Sequence, residues 1–431
     1  MAGFHLDPRC ADAFAPGNHL LLRTAVVGAG VMGSGIAYVC ALNGLPVRLK
    51  DIRQPALDRA MAEVDRLLAR QVGQGRLDDD GARRVRAAIH PQLDYHGLEN
   101  ASVVLEAVVD NLGVKNQVLS EVEGLLGADA VLLSNTSSLR ISDLAGALMR
   151  PQNFAGLHFF NPAPAMPLVE VIRGRQSSDY AIQTAVKQAL AMGKIPIVVR
   201  DGPGFLVNRI LMAYVHAFLQ LLADGVDYLR IDRLAEAFGW PMGPAYLEDV
   251  VGLDVGSQSC DLIFAGYPQR MPGVEPDAFK LLLGEGWLGR KSGAGFYRYR
   301  LDAEGREVRT PNLEARALLA ARLPPRATPD DGEILERLML SMIVESVHAL
   351  QEQVVTSAEE LDRALLLGIG FPAMRGGALR YADELGAAQV VARCRRYLHL
   401  GAAYAPPQLL LEKARDGGRF HTEAAYPTEK P

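Results

Sequence analysis

Apolar and polar positions divide the chain into two regimes. Up to about residue 200, short apolar runs recur with polar, helical stretches between them; beyond it the pattern is helical almost throughout. The first run, 22–27, leads straight into Gly28-Ala-Gly30-Val-Met-Gly33 and a small-residue helix over 34–43. Residues 46–50 read as a second strand ending in Asp51. A long polar, basic and helical stretch covers 54–89, with Asp78-Asp-Asp80 inside it as a solvated loop. Further buried strands are predicted at 102–109, 130–134, 154–160, 168–172 and 195–199. Strands separated by helical patterns predict a doubly wound α/β sheet.

The pattern changes after Asp201-Gly-Pro-Gly204. From Phe205 onward helix is predicted, with one short strand at Phe296-Tyr-Arg-Tyr, and a Pro-rich linker over 323–329 leads to a second helical region. That region repeats the first. Asn208-Arg209, His216-Ala217, Asp232-Arg233 and Gly239-Trp-Pro in one answer to Glu336-Arg337, His348-Ala349, Asp362-Arg363 and Gly370-Phe-Pro in the other. The expected organisation is a flexible lead-in (1–21), a nucleotide-binding domain (22–202) and two tandem helical domains (203–322 and 330–431). The first copy carries Asn208 where the second has Glu336, so the first is expected to help form the active site and the second to be structural. His216 and His348 are expected to be packing or capping residues at equivalent helical places, His90 and His96 loop residues, and Cys40 core.

Strand, glycine turn, helix, strand and acid in that order form the context a dinucleotide fingerprint requires. Gly28 permits the tight turn, Gly30 lets backbone approach a pyrophosphate, and Gly33 lets the helix pack closely on the strand. The helix N-terminus then offers free N–H groups to phosphate. Asp51 stands at the spacing of a carboxylate that binds the ribose 2′-hydroxyl and repels a 2′-phosphate, which favours NAD over NADP.

Composition narrows the class. A chain of 431 residues, 49% apolar and 22% charged, is an ordinary globular protein of about three domains. A net charge of −5 argues against a nucleic-acid binder. Only eight of the 45 basic residues are Lys, an Arg bias read as genomic composition. The four cysteines are scattered, with no CxxC and no His beside them, so neither a disulfide scaffold nor a metal site is expected, and a reducing, cytoplasmic setting is. No apolar run approaches the roughly 18 residues of a membrane span, and the first twenty residues lack a signal peptide's apolar core.

The densest polar constellation lies between the two regimes: Glu106, Asp110, Lys115, Ser134-Asn-Thr-Ser137-Ser, His158-Phe-Phe-Asn161-Pro and Met166-Pro-Leu-Val-Glu170. His158 comes at the end of a buried strand, where ligand crevices open. A turn through Pro162 and Pro164 brings Glu170 within reach of it. Imidazole and carboxylate together suit alcohol oxidation: the first accepts the hydroxyl proton as hydride leaves the carbon, the second fixes the tautomer.

These segments, with GAGVMGSGIA, EAVVDNLGVK, SNTSSL, HFFNP, MPLVEVI, DGPGFLVNRI and GWPMGPAYLEDVVG, resemble the L-3-hydroxyacyl-CoA dehydrogenases. The run on to LGIGFPAMRGGALRYADELG is similar to the dehydrogenase half of the multifunctional fatty-acid oxidation complex α-subunit, over residues 22 to about 405. The resemblance implies NAD-dependent, reversible oxidation of (S)-3-hydroxyacyl-CoA to 3-oxoacyl-CoA without a metal. It implies His158 as base, Glu170 as its partner, and Ser137 and Asn208 as groups that bind and polarise substrate. Gly28, Gly30, Met32, Gly33, Asp51, Val108, Val109, Asp110, Lys115, Ser137, Asn161 and Lys291 match NAD-binding positions. Asp110 stands where relatives more often have Glu, and Arg76 lies in a region where relatives use Lys near the CoA phosphates. The hydratase/isomerase domain of multifunctional relatives is not expected, since only about twenty residues precede the first strand. The resemblance also implies a monomer whose second helical copy takes the place of a dimer partner, and it leaves association with a thiolase open. Two alternatives stay open at this level: a gulonate-type hydroxy-acid dehydrogenase, and a non-catalytic NAD-binding protein.

Overall fold

The computed structural model describes residues 23–323, 325 and 329–421. The lead-in and most of the Pro-rich linker lie outside the described residues. The chain divides into two compact units, one running to Phe205 and the other beginning at Leu206.

The first unit is built on one sheet: β1 (Thr24–Val27), β2 (Val47–Lys50), β3 (Ile89–Gln92), β4 (Val103–Glu106), β5 (Val131–Ser134), β6 (Phe154–Phe159), β7 (Leu168–Arg173) and β8 (Ile195–Arg200). Their spatial order is β3-β2-β1-β4-β5-β6-β7-β8. Neighbours run parallel except β6 and β7, which pair antiparallel. The chain winds one way from β1 to β3 and the other way from β4 to β6. The switch falls between β1 and β4, where such sheets open a ligand crevice at their carboxyl ends. Helices α1 (Val31–Leu42), α2 (Gln54–Gly73), α3 (Asp79–Ala87), α4 (Leu112–Leu125), α5 (Ile141–Leu144) and α6 (Asp179–Ala191) make the connections. The central strands are buried along their whole length, as a sheet covered on both faces demands.

Three local expectations are corrected. Residues 107–109 leave the sheet, because the Val108 N–H turns to the Glu106 carboxylate at 2.7 Å. Asp78 is a helix cap whose Oδ1 accepts from Gly81 N at 2.6 Å, and Asp79 and Asp80 open α3 on the favourable side of its dipole. His90 lies on the edge strand β3, not in a loop; exposure on that edge and Pro91 hid the strand's pattern.

The second unit is helical: α7 (Val207–Ala223), α8 (Tyr228–Phe238), α9 (Pro244–Val251), α10 (Leu253–Gly266), α11 (Ala278–Gly284), α12 (Leu313–Arg322), α13 (Asp331–Gln351), α14 (Ala358–Gly368), α15 (Ala378–Leu385), α16 (Ala387–Arg396) and α17 (Gln408–Asp416). The expected strand at 296–299 is half of a hairpin, β9 (Tyr297–Leu301) with β10 (Glu307–Pro311); β10 is mostly exposed and charged, so its apolar signal is faint.

Within this unit the repeat is visible atom by atom. Asp232 Oδ1 and Oδ2 accept from Ala245 N (2.8 Å) and Tyr246 N (3.1 Å), capping α9. Asp362 does the same for α15 through Leu379 N (2.9 Å) and Arg380 N (2.8 Å). A second carboxylate clasps a returning segment in each copy: Asp249 takes the N–H groups of Phe296 and Tyr297, and Asp383 those of Phe420 and His421. The clasp then closes on the capping Asp, through the Tyr297 hydroxyl in the first copy (2.7 Å) and His421 Nε2 in the second (3.1 Å).

Packing of α7 on α13 joins the copies, and its ion pairs are reciprocal. Arg209 meets Glu352, the residue that ends α13 (2.8 Å), and Arg337 meets Asp224, the residue that ends α7 (2.8 Å). Such exchange is the signature of a two-fold relation. It also corrects the expected equivalence of His216 and His348, since the pairing of Arg209 with Arg337 leaves the two histidines one helical turn out of step. His216 is buried against Pro272 O (3.0 Å) and Phe264, while His348 faces Glu352.

Among the described residues, one buried carboxyl oxygen is left without a hydrogen-bond partner. Glu248 on α9 is 2% exposed and its Oε2 has no hydrogen-bond partner among the described residues. Burial, with Asp249 adding to it, pushes its carboxyl up to about 8. The unfolded chain loses this proton near the ordinary Glu value and the folded chain holds it until about 8, so stability drains away as pH rises between the two. Glu248→Leu is expected to raise stability by about 2 kcal/mol at alkaline pH and by far less in acid, a trend thermal melts across pH will check.

Candidate active site

Carboxyl ends of parallel strands collect at one edge of the first unit, and most candidate residues of that unit follow them. The glycine turn follows β1, Asp51 follows β2, Val108–Asp110 follow β4, Asn135–Ser138 follow β5, and His158 lies near the end of β6.

Each turn glycine is explained by a different contact. Gly28 has φ +105° and a Cβ there would lie 2.6 Å from Ala107 O. A Cβ on Gly33 would lie 1.8 Å from Gly28 O, so no side chain fits under α1. Gly30 differs. Its φ of −71° suits any residue and an added Cβ would meet nothing within 4 Å. The fold itself does not require glycine at this position, and its absence of a side chain leaves the backbone open to close approach. No side chain caps α1, whose first N–H groups at Val31, Met32 and Gly33 are thus left for an anion. Asp51 is held in place by Ala29 N on Oδ2 (2.9 Å) and Arg53 N on Oδ1 (3.0 Å). Bare backbone, open helix end and fixed carboxylate fit a dinucleotide.

Beneath the crevice runs a charged network. Glu106 is fully buried and accepts from Lys115 Nζ (2.7 Å) and Val108 N (2.7 Å) on one oxygen and from Ser134 Oγ (2.6 Å) on the other. Burial raises the Glu106 carboxyl, against the pull of Lys115 and the donors of Ser134 and Val108. Lys115 reaches on to Asp110 (3.3 Å), and Asp110 accepts from Ser137 N (3.2 Å) and Ser137 Oγ (3.4 Å). Loops from β4 and β5 are thereby tied together, with Ser137 exposed at the top. Val109 is exposed beside them.

The antiparallel pairing of β6 and β7 makes His158 and Glu170 direct partners in register. Directly paired residues present their side chains on one face of a sheet, and here His158 Nδ1 stands 2.8 Å from Glu170 Oε2. Both side chains are buried. A carboxylate only accepts, so in this contact a neutral imidazole donates from Nδ1 and leaves the Nε2 lone pair free. The imidazole is flanked by the rings of Phe160 (4.7 Å between centroids) and Phe205 (5.6 Å). Phe205 has φ +51°, a left-handed conformation that costs a bulky residue roughly 1–2 kcal/mol. That strain sits at a wall of the candidate site, where strained backbone tends to cluster.

A cavity of about 840 Å³ extends from the glycine turn and Asp51 along α1 and α2 to the loop of Asn161–Ala165. Arg53, Arg59, Arg66, Arg70 and Arg76 line it. Arg66 pairs with Glu63 (2.6 Å), and the other four have no ion pair among the described residues. Arg76 was legible from the sequence; Arg59, Arg66 and Arg70 were missed, although their spacing of seven and four places them on one face of α2. Phe205 was missed too, because nothing in Gly-Pro-Gly-Phe signals where the ring points.

Asn208 and Lys291 belong to the second unit. Asn208 is half-buried in the first turn of α7, and Lys291 pairs with Asp254 at 2.5 Å. Among the described residues no cluster of His, Cys, Asp and Glu has the makings of a metal site, and no helix is long and apolar enough to cross a membrane.

Comparison with known proteins identifies the architecture. The family "3-hydroxyacyl-CoA dehydrogenase, NAD binding domain" matches residues 23–202. "3-hydroxyacyl-CoA dehydrogenase, C-terminal domain" matches 204–299 and 332–426. The fatty acid oxidation complex subunit alpha of Psychrobacter arcticus is 45% identical over 407 residues, covering 94% of this chain and 57% of that protein. The chain thus spans little more than half the length of the curated relatives it matches. Among solved structures, 3-hydroxybutyryl-CoA dehydrogenase of Escherichia coli K12 aligns with a TM-score of 0.79 at 27% identity, covering 92% of this chain and 98% of that one. (S)-3-hydroxybutyryl-CoA dehydrogenase of Ralstonia eutropha aligns with a TM-score of 0.62 at 35% identity, covering 65% and 99%. The chain belongs to the 3-hydroxyacyl-CoA dehydrogenase family, and its cofactor is NAD.

The three glycines separate fold from ligand. Gly30→Ala is expected to leave the melting temperature unchanged and to weaken NADH binding by about tenfold or more, since even one added methyl obstructs a close backbone approach. Gly33→Ala is expected to lose stability outright, by about 2 kcal/mol or more, through its overlap with Gly28 O. Melting curves and NADH fluorescence titrations on both variants read the two effects separately.

Proposed function

We propose that this member of the family oxidises (S)-3-hydroxyacyl-CoA to 3-oxoacyl-CoA reversibly, as a step of fatty-acid β-oxidation or related acyl-CoA metabolism. The observation that carries the reading is the 2.8 Å contact between His158 Nδ1 and Glu170 Oε2. With Nδ1 committed to the carboxylate, Nε2 is the atom that takes the proton of the substrate's 3-hydroxyl. Glu170 then lies against the imidazolium and offsets its charge, which lowers the barrier in the oxidation direction. In reverse, the same Nε2–H returns the proton to the carbonyl oxygen. NAD, when bound, accepts the hydride that leaves the carbinol carbon. Gly28, Gly30, Met32 and Gly33 would hold its pyrophosphate and Asp51 its adenosine ribose. Val108, Val109, Asp110, Lys115, Ser137, Asn161 and Lys291 complete the proposed cofactor contacts. Ser137 and Asn208 are assigned to the 3-oxygen and the thioester carbonyl, whose developing charge they polarise.

The arginines of the large cavity account for the CoA half of the substrate. Guanidinium groups without carboxylate partners suit phosphate oxygens, which they bind in forked pairs. Arg76 is the member assigned to this task. The assembly is proposed to be a monomer whose two helical copies mimic a dimer, a reading supported by the reciprocal Arg209–Glu352 and Arg337–Asp224 pairs. Association with a thiolase and a cytoplasmic setting belong to the same proposal and rest on the family resemblance.

Consumption of NADH in the presence of acetoacetyl-CoA tests the reading. Wild type is expected to turn over, and His158→Ala to fall by about 10²–10⁴-fold with NADH affinity retained. Arg76→Ala is expected to raise KM for acetoacetyl-CoA while leaving that for the pantetheine thioester unchanged. Turnover of free hydroxy acids in place of the thioester, or no turnover at all, would contradict the proposal.

A further inference from the structure

The loop that joins the two strands of the His158–Glu170 pair is short of hydrogen-bond donors. Residues 160–167 include Pro162, Pro164 and Pro167, none of which has an N–H. The N–H groups of Ala165 and Met166 both turn back to Pro162 O, at 2.9 and 3.1 Å. The carbonyls of Ala163 and Met166 therefore need a donor from elsewhere. One side chain supplies both: Lys194, between α6 and β8, places Nζ 2.6 Å from Ala163 O and 2.8 Å from Met166 O.

Lys194 is only 7% exposed, and among the described residues it forms no ion pair with a carboxylate. Burial lowers the pKa of its ammonium. Burying an ammonium that has carbonyl but no carboxylate partners is costly, and a neutral apolar residue would carry no such cost. The cation is thus retained for what it holds. From the other side the same loop abuts α1: a Cβ on Gly35 would lie 3.2 Å from Pro164 Cδ and 3.3 Å from Ala163 Cβ. The loop is clamped between Gly35 and Lys194, and its outer surface, Asn161–Ala165, is a wall of the arginine-lined cavity.

We propose that Lys194 is a positioning residue for acyl-CoA binding, which fixes this wall by holding the Ala163 and Met166 carbonyls. The proposal rests on the reading of the cavity as the site of the CoA half of the substrate. It separates binding from chemistry, because the strand register of β6 and β7 places His158 against Glu170 without help from Lys194.

Lys194→Met and Lys194→Arg are to be compared with wild type by steady-state kinetics with acetoacetyl-CoA and NADH, and by amide hydrogen exchange. The expected result for Lys194→Met is a KM for acetoacetyl-CoA raised about tenfold, kcat at saturation within about threefold of wild type, and faster exchange at 160–167 but not in β6 or β7. Lys194→Arg, which keeps a cationic donor, is expected to recover most of the KM. Gly35→Ala, which presses on the same loop with Lys194 intact, is expected to raise KM as well and stands in should Lys194→Met fail to fold. An unchanged KM with a protected loop in Lys194→Met or, failing that, in Gly35→Ala overturns the proposal, as does a loss confined to kcat. A wild type inactive on acetoacetyl-CoA would instead remove the reading of the cavity, while the exchange data would still report whether Lys194 holds the loop.

Discussion

One reversal of strand direction organises the chemistry of this chain. Six strands of the sheet run parallel, and β7 then enters antiparallel to β6. A parallel neighbour would need a long crossover connection. A tight antiparallel return sets two residues twelve apart face to face, both buried and His158 close to the carboxyl end of β6. Register in a strand pair is strict, since a slip of one residue turns every side chain to the other face. His158 and Glu170 are therefore paired by the backbone ladder and by the burial of their neighbours, and their hydrogen bond is the last contact to form in that logic.

Polar groups around this pair are handled by enclosure. Glu106, Lys115, Asp110, Ser134 and Ser137 form a continuous chain from the sheet's interior to its rim. Each donor and acceptor along it meets a partner, which is what makes charges tolerable at such depth. The network binds the loops after β4 and β5 to each other, so that the exposed Ser137 rests on a rigid base. Lys194 does the corresponding service for the loop after β6. The glycine turn works in the opposite sense: there a side chain is withheld, and the space that results belongs to the ligand.

Duplication in the second unit shows which features the two copies share and which they do not. Both copies keep the capping aspartate, the clasping aspartate and the aromatic segment that returns to them, with Tyr297 in one and His421 in the other. What differs is the position just before the paired arginines, Arg209 of α7 and Arg337 of α13. The first copy has Asn208; the second has Glu336, locked by Arg393, Arg396 and Tyr397. A carboxylate held by three partners is fully engaged within its own copy.

Much of this was legible in the sequence. The glycine turn, Asp51 and the central buried strands follow from short-range pattern, because each is dictated by neighbours close in the chain. His158 and Glu170 were legible as a pair because only a Pro-bearing turn separates them. Residues whose meaning depends on long-range geometry were not: Lys194 looks like any lysine after a helix, the ring of Phe205 is aimed by a strained backbone, and the edge strand β3 lacks a buried face. The two histidines of the repeat misled for the same reason, since letter identity suggested a match that the ion-pair register refutes. The most direct measurement of the central claim is imidazole nitrogen NMR on histidine-labelled protein, with His158 assigned by its loss in His158→Asn. Nδ1 is expected to be protonated and Nε2 unprotonated in the neutral ring, with a change in that balance in Glu170→Gln. A proton on Nε2 in the wild type, or a spectrum indifferent to Glu170, would contradict it.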